Sequence, residues 1–363
     1  MLTVGIISAV VAFVISAALT PLCRFVASRG GLLDKPSAVG HKGHEKAVPL
    51  LGGAAIFWAI FLPTLAVVAA CGVFERTGAP SFLPRYIAVH IHGVVVKTPH
   101  VLVIFAAALL LHVVGIIDDR RALGAWPKLA VQFIAATAVV IYGDVRVLTL
   151  AGPWVSVPLT IVWIVVITNS FNFLDNMDGL SVGIGAIVAA ALALAAWGMG
   201  QWFVAAWVCI FFGAFLGFLP YNFAPASVFM GDAGSLVTGF LLAVASCLTT
   251  YIVPSSHGGC SAAVAVPLLL MAVPLYDTFS VMYIRLSEGR NPMVGDRRHF
   301  SHRLVSRGMS TRSAVLTIYL CAVSTALAGS ILPHTRGILP AIMLVSQTIC
   351  TLLILAMLES RSK

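Results

Sequence analysis

Carboxylates in this chain gather at the ends of apolar runs, in four short motifs: "GIIDDRR" (Asp118, Asp119), "NSFNFLDNMDG" (Asp175, Asp178), "FMGDAGS" (Asp232) and "VPLYDTF" (Asp277). An acid beside an apolar run is costly unless it meets protein, water or an ion, which makes each a functional candidate. Capping a helix, or balancing nearby Arg and Lys, would explain any one of them. Four together are harder to explain that way.

At about 100° per residue, Asn169, Asn172 and Asn176 fall within roughly 60° of one another on a helix, with Asp175 beside them. Amide and carboxylate oxygens are hard ligands suited to Mg²⁺, which keeps several waters and takes one or two carboxylates plus substrate phosphates. Interhelical hydrogen bonding by Asn is the competing explanation. In "FMGDAGSLVTGF", Gly231 and Gly234 allow close backbone approach around Asp232. A helix begins near Ser235, so free N–H groups and a positive dipole end point at the same spot. That is a place for a phosphate beside a metal carboxylate; an ordinary N-cap would explain Asp232 but not its glycines. The adjacent acids of "GIIDDRR" repel unless a cation compensates. They bind metal, position a base, or pair with Arg120 and Arg121. The basic stretch 285–312 sets His299 and His302 three residues apart with Arg298 and Arg303 beside them, donors suited to a diphosphate or a sugar. Positive-inside bias accounts for its Arg but not for its "HFSH" pair.

These motifs need elements that hold them at one level, and the composition says what those are. Of 363 residues 60% are hydrophobic and 10% charged, far from the ~25% charge of a soluble domain. The expected fold class is an all-α polytopic membrane protein, one integral membrane domain over 1–363. A spanning helix takes about 20 mostly apolar residues. Eleven runs qualify, near 3–22, 50–71, 99–117, 128–143, 157–174, 180–198, 202–219, 235–252, 263–284, 313–332 and 337–357. The first starts at residue 2 without a basic segment before it, the pattern of a retained span rather than a cleaved signal.

Loops 23–49, 118–128, 171–179, 221–234 and 285–312 and the tail 358–363 hold most of the 22 Lys and Arg. They are expected in the cytoplasm, with the N-terminus outside and the C-terminus inside. The acidic motifs then lie on the cytoplasmic face of the cell membrane. The net charge of +9 suits anionic lipid heads or anionic substrates, with no reason to invoke nucleic acid. Seven Cys without CxxC spacing read as packing residues. The stretch "DVRVLTLAGPWVS" (144–156) alternates about a Gly-Pro and predicts a small outside hairpin. His90, His92 and His100, also outside, read as incidental.

In this order and combination the motifs resemble those of the polyprenyl-phosphate N-acetylhexosamine-1-phosphate transferases. The resemblance runs from "LLDKPSAVGHKGHEKAVPLLGG" through "GIIDDRR", "NSFNFLDNMDGL" and "NFAPASVFMGDAGSL" to "DRRHFSHRL". It implies transfer of a sugar-1-phosphate from a UDP-sugar to a polyprenyl phosphate, with Mg²⁺ (or Mn²⁺ in its place) and release of UMP, to begin a cell-envelope glycan. By motif it makes Asp118, Asp119 and Asp232 catalytic and puts Asn172 and Asp232 at the metal. It gives Lys128, Asn169, Asp175, Phe229, His299, His302 and Arg303 to the substrates, Phe229 by stacking on uridine. The implied partners are the UDP-sugar, the lipid phosphate and a second copy of the chain.

Two departures stand out. "GHKGH" replaces an Arg-Lys pair before its His, which bears on His41 and Lys42. Ser301 stands where a further His is usual, so Ser301→His is expected to be tolerated. The Asp-Arg before the last motif and the absence of a His triplet favour the WecA and TagO branch, and UDP-GlcNAc, over an MraY-like phospho-MurNAc-pentapeptide transferase. The rival from another class, an ion-coupled secondary transporter, requires acids near the bilayer midplane and repeated halves. Here the acids sit at span ends and no repeat is visible.

Overall fold

The computed structural model describes residues 1–34, 47–81, 83–251, 261–291 and 298–360; His41, Lys42 and Cys260 lie outside them. The apolar runs fold as helix because a backbone in hydrocarbon must satisfy its N–H and C=O groups within its own segment. In chain order the helices are α1 (Leu2–Arg29), α2 (Gly52–Thr77), α3 (Arg85–Ala88), α4 (Ile91–Arg120), α5 (Ala125–Ile141), α6 (Pro153–Leu174) and α7 (Leu180–Gly198). They continue as α8 (Trp202–Asn222), α9 (Asp232–Leu248), α10 (Val266–Leu270), α11 (Ala272–Ser287), α12 (Phe300–Ser306), α13 (Thr311–Ile331) and α14 (Ile338–Ser360). Two-residue strands, β1 (Leu33–Asp34) and β2 (Val48–Pro49), pair antiparallel.

Among the described residues eight helices are long and apolar enough to cross a membrane: α1, α2, α3 with α4, α6, α7, α8, α13 and α14. The pair α10 and α11, bent by 69°, makes a ninth if it is one span. The protein is therefore all-α and polytopic. α5 and α9 are shorter, with 17 residues each. At 1.5 Å per residue each is about 26 Å long, near the hydrocarbon thickness. Exposed Trp126 and Tyr142 flank the two ends of α5, where amphipathic rings sit at membrane interfaces. α9 needs no lipid contact, since every residue from Ala233 to Cys247 is buried, with α2, α4, α6, α7 and α8 around it.

α9 sits centrally because small residues line its first turn. A Cβ on Gly53 of α2 would overlap the Gly234 backbone, and one on Gly115 of α4 would overlap Ala233. Such residues let membrane helices touch backbone to backbone, where hydrophobic force between helices is lacking. The turn before α9 is held as firmly. The Phe229 N–H donates to the Pro49 carbonyl at 2.9 Å, and the Gly52 and Gly53 N–H groups donate to the Phe229 and Met230 carbonyls, each at 3.0 Å. β2 thereby runs through Leu50 into a parallel bridge with Phe229. The α1–α2 loop is stitched to the loop that delivers Asp232.

The hairpin expected over 144–156 does not form. Thr149–Ala151 make a 3-10 turn, and Gly152 (φ 79°) leads into Pro153 at the start of α6. Proline at a first helical position gives up an N–H that had no partner and presets φ. The Gly-Pro pair is thus a helix start. The six described cysteines are free thiols, of which Cys247 is buried and Cys350 exposed.

Candidate active site

The C-terminal ends of α4 and α6 meet the N-terminal ends of α5 and α9. Lys128, in the first turn of α5, sets its ammonium between two carboxylates, 3.0 Å from Asp118 Oδ2 and 2.6 Å from Asp232 Oδ2. Asn172, near the end of α6, donates its amide to Asp232 Oδ1 at 3.1 Å and to Ser235 Oγ at 2.9 Å. The second oxygen of Asp118 accepts the Leu123 N–H at 2.7 Å, which closes the α4–α5 turn and fixes the approach of Lys128. The three charged side chains keep between 13% and 23% of their surface exposed. They are shielded enough to interact strongly and open enough to be reached.

Asp119 turns the other way. Its oxygens accept the backbone N–H groups of Asp232 and Ala233, at 2.8 and 3.2 Å. This carboxylate from α4 satisfies the orphan donors that open α9, which no residue of α9's own lead-in caps. Gly231 is required here twice over: its φ is 67°, and a Cβ on it would press on the Asp119 carboxylate. Two turns back on α4, buried His112 places Nδ1 2.9 Å from the Ala233 carbonyl and stacks on Phe57.

Asp175 lies just past α6. Desolvation, and then the negative charges of Asp232, Asp119 and Asp178, push its carboxyl well above the usual carboxylate range, against one hydrogen bond from the Gly231 backbone. Lys128 compensates Asp118 and Asp232, while Asp119 and Asp175 add negative charge beside Asp232, and such a site favours a further cation. Among the described residues no group of three His, Cys, Asp or Glu forms a metal cage. The Asp118 and Asp232 carboxylates that flank Lys128 are hard oxygen ligands, and Asn172, whose amide nitrogen now bonds Asp232, carries a third hard oxygen on the same side chain. One or two carboxylates are the usual protein share for Mg²⁺ that also binds substrate phosphates. The residues present therefore fit that ion.

The same stretch of α6 leads to a second cluster. Buried His299 lies with Nδ1 2.7 Å from Asp277 Oδ2, and the Phe300 N–H donates to Asp277 Oδ1 at 3.1 Å. The Phe173 ring meets His299 edge-on at 5.9 Å. Ser301 Oγ donates to Asn176 Oδ1 at 2.7 Å. α12 is thereby docked beside Asn172 and Asp175. His302 lies half-buried on the same short helix.

Two of the expected residues have protein partners of their own. Arg303 has its donors elsewhere: the guanidinium grips Glu359 of α14 through bonds of 2.9 to 3.2 Å and also reaches Ser280 and the Arg298 carbonyl. A planar fork matched to a carboxylate is a clamp between helices. Ser301 is fully buried against Asn176, so a His there overpacks the contact and is not a neutral change.

The other expected residues are placed as follows. Asp118, Lys128, Asn172 and Asp232 form one bonded cluster, with Asp119 and Asp175 against it. Phe229 is half-buried three residues before Asp232, its backbone held by the 49–53 segment. Asn169 lies one turn deeper on α6, paired amide to amide with buried Gln132. Gln132 was missed in the sequence, although it stands four residues after Lys128 on one face of α5. Ser235, three residues after Asp232, was noted only as a helix start. Asn222 had no signal at all. It accepts the Gly179 N–H at 3.1 Å and donates to the Val228 carbonyl at 3.0 Å, tying the turn after α6 to the turn before α9.

Comparison with known proteins gives the family. Residues 101–250, the segment holding all the bonded acids of the first cluster, match the Glycosyl transferase family 4 pattern. The chain is 32% identical over 332 residues to a probable undecaprenyl-phosphate N-acetylglucosaminyl 1-phosphate transferase of Bacillus subtilis, covering 88% of this chain and 84% of that one. It is 34% identical over 323 residues to the decaprenyl-phosphate N-acetylglucosaminephosphotransferase of Mycobacterium tuberculosis, covering 82% and 74%. The undecaprenyl-phosphate alpha-N-acetylglucosaminyl 1-phosphate transferase of Escherichia coli K12 is 28% identical over 342 residues, covering 89% and 82%. Similarity of that extent over most of both chains shows that this protein belongs to Glycosyl transferase family 4.

Proposed function

We propose that this protein transfers N-acetylglucosamine-1-phosphate from UDP-GlcNAc to a polyprenyl phosphate, releasing UMP. The observation that carries the reading is the Asp118–Lys128–Asp232 cluster at the ends of membrane helices. It is an anion-rich, cation-demanding site at the level where a soluble nucleotide can meet a lipid head. The names of the relatives support the GlcNAc donor class and the polyprenyl phosphate acceptor. Neither alternative is favoured: the relatives named above are N-acetylglucosamine-1-phosphate transferases, and Asp118, Asp119, Asp175 and Asp232 cluster at helix ends rather than at mid-membrane as a transporter would need.

In the proposed reaction an oxygen of the lipid phosphate attacks the β-phosphorus of UDP-GlcNAc. A new P–O bond forms, the bond from that phosphorus to the bridging oxygen breaks, and UMP leaves with the electron pair. A phosphate monoester has a second pKa near 6, so the nucleophile is mostly ionised at pH 7 and needs no strong base. Asp118 and Asp232 then serve in charge and position, held at a fixed separation by Lys128. Asn172 and Asp232, with Asp118 beside them, would hold Mg²⁺. When bound, the ion supplies Lewis-acid stabilisation of charge on the diphosphate. Asp119 keeps Asp232 in place through the α9 backbone. Asp175 and Phe229 flank the cluster on the side we give to the uridine, and His299 and His302 are given to the diphosphate or sugar.

We read the site as facing the cytoplasm: the bias of basic residues in the loops supports that side, and on this reading α5, α9 and the bent α10–α11 pair complete eleven crossings, with the N-terminus outside and the C-terminus inside. Labelled UDP-GlcNAc, incubated with the purified protein, undecaprenyl phosphate and Mg²⁺, should yield label that extracts into organic solvent. Label that stays wholly aqueous would contradict the proposal.

A further inference from the structure

Asp277 belongs to none of the acids bonded around Lys128, yet it is completely buried and both of its oxygens are engaged. We propose that Asp277 is the positioning residue for His299, holding the imidazole through Nδ1 so that Nε2 is the atom presented to the donor substrate. The inference deepens the proposed function and rests on it for the substrate.

The geometry supports this from three sides. An ionised carboxylate offers only acceptors, so across the 2.7 Å contact it favours the proton on His299 Nδ1 and leaves Nε2 as the ring nitrogen that Asp277 does not hold. The Phe300 N–H, at 3.1 Å from the other oxygen, fixes the carboxylate relative to the backbone that carries His299. Phe173, edge-on at 5.9 Å, limits the tilt of the ring, and the Ser301–Asn176 bond locks the first turn of α12 to the turn after α6. Asp277 itself stands on α11 just beyond the 69° bend. The bend thus has a consequence for the site: it sets the depth of the acid that orients the histidine. A buried acid with no other function would be expensive to keep in a membrane helix.

Asp277→Asn, His299→Ala and the double variant, each in the full chain in lipid, test this. Asn preserves shape and an acceptor for Phe300 but offers an amide N–H₂ to the ring, which favours the other tautomer. Loss of an orienting partner of this kind typically lowers activity by about tenfold or more. We expect that loss in kcat for Asp277→Asn, whereas in the His299→Ala background the same change should matter by less than about twofold, because one group acts through the other. An equal loss in both backgrounds would overturn the inference and make Asp277 a structural acid. Nitrogen-15 spectra of histidine-labelled protein, with His299→Ala identifying the signals, should show Nδ1 protonated in the wild type and a shift towards the Nε2–H tautomer in Asp277→Asn. An unchanged tautomer would also overturn it. The spectra need no turnover, so they decide the role of Asp277 even if the wild type transfers no sugar, a result that would count against the proposed function instead.

Discussion

The carboxylate of Asp119 accepts the backbone N–H groups of Asp232 and Ala233, so an acid of one motif caps the helix that presents the acid of another. The neighbouring Asp118 faces Lys128 instead. Two adjacent residues of the same type therefore have different duties, one holding the scaffold and one facing the charge cluster.

That division predicts different phenotypes. Asp119→Ala removes a helix cap and should lower stability by about 1 kcal/mol, with activity falling because Asp232 loses its anchor. Asp118→Asn should leave the melting temperature in detergent near wild type while transfer falls. Thermal unfolding and transfer assays on both variants check this; equal melting temperatures for Asp119→Ala and wild type would contradict it.

Lys128 is the ammonium between Asp118 and Asp232, 3.0 and 2.6 Å away. Lys128→Met leaves two carboxylates facing each other without compensation, and like charges held so close repel. Transfer should drop by at least about tenfold, equivalent to about 1.4 kcal/mol of barrier, while the remaining activity should saturate at lower Mg²⁺, because the ammonium no longer competes for the two carboxylates. A Mg²⁺ titration with unchanged half-saturation would argue that Lys128 does not share the cation's place.

Arg303 and Glu359 should behave as a clamp. Arg303→Ala and Glu359→Gln are each expected to lower the melting temperature, with the double variant little worse than either, as expected for groups in one network. KM for the UDP-sugar should stay within about threefold of wild type, a difference of under 1 kcal/mol. A large rise in that KM for Arg303→Ala alone would return the residue to the substrate.

Ser301 is fully buried with its hydroxyl on Asn176. Ser301→His should destabilise by about 1–3 kcal/mol through overpacking, more than Ser301→Ala, which loses one hydrogen bond. Unfolding in increasing denaturant would rank the three; a His variant as stable as wild type would show room that the structure does not.

The apolar runs were legible because a membrane helix needs a long stretch with few charges, and all eleven expected segments contain helix. The four acidic motifs were legible because charge at the end of such a stretch has few innocent explanations. What spacing does not carry is which partner each acid meets. The capping of α9 by Asp119 joins residues more than a hundred positions apart, and the bridge of Leu50 to Phe229 uses strands too short to leave a periodic pattern. The Gly-Pro at 152–153 suits a turn and a helix start alike, and only the packing of Ser156 and Thr160 on Val147 decides between them. Arg303 was grouped with the substrate residues by its place in the basic stretch, and its bond to Glu359, at the far end of the chain, could not be read from its neighbours.

The central claim is that the Asp118–Lys128–Asp232 cluster carries out transfer to a lipid phosphate. Release of UMP from UDP-GlcNAc, measured with and without undecaprenyl phosphate for the wild type and for Asp232→Asn, tests it most directly. The account predicts UMP only when both lipid phosphate and Mg²⁺ are present, and its near-complete loss in a correctly folded Asp232→Asn. UMP release that ignores the lipid, or an Asp232→Asn variant with wild-type turnover, would contradict it.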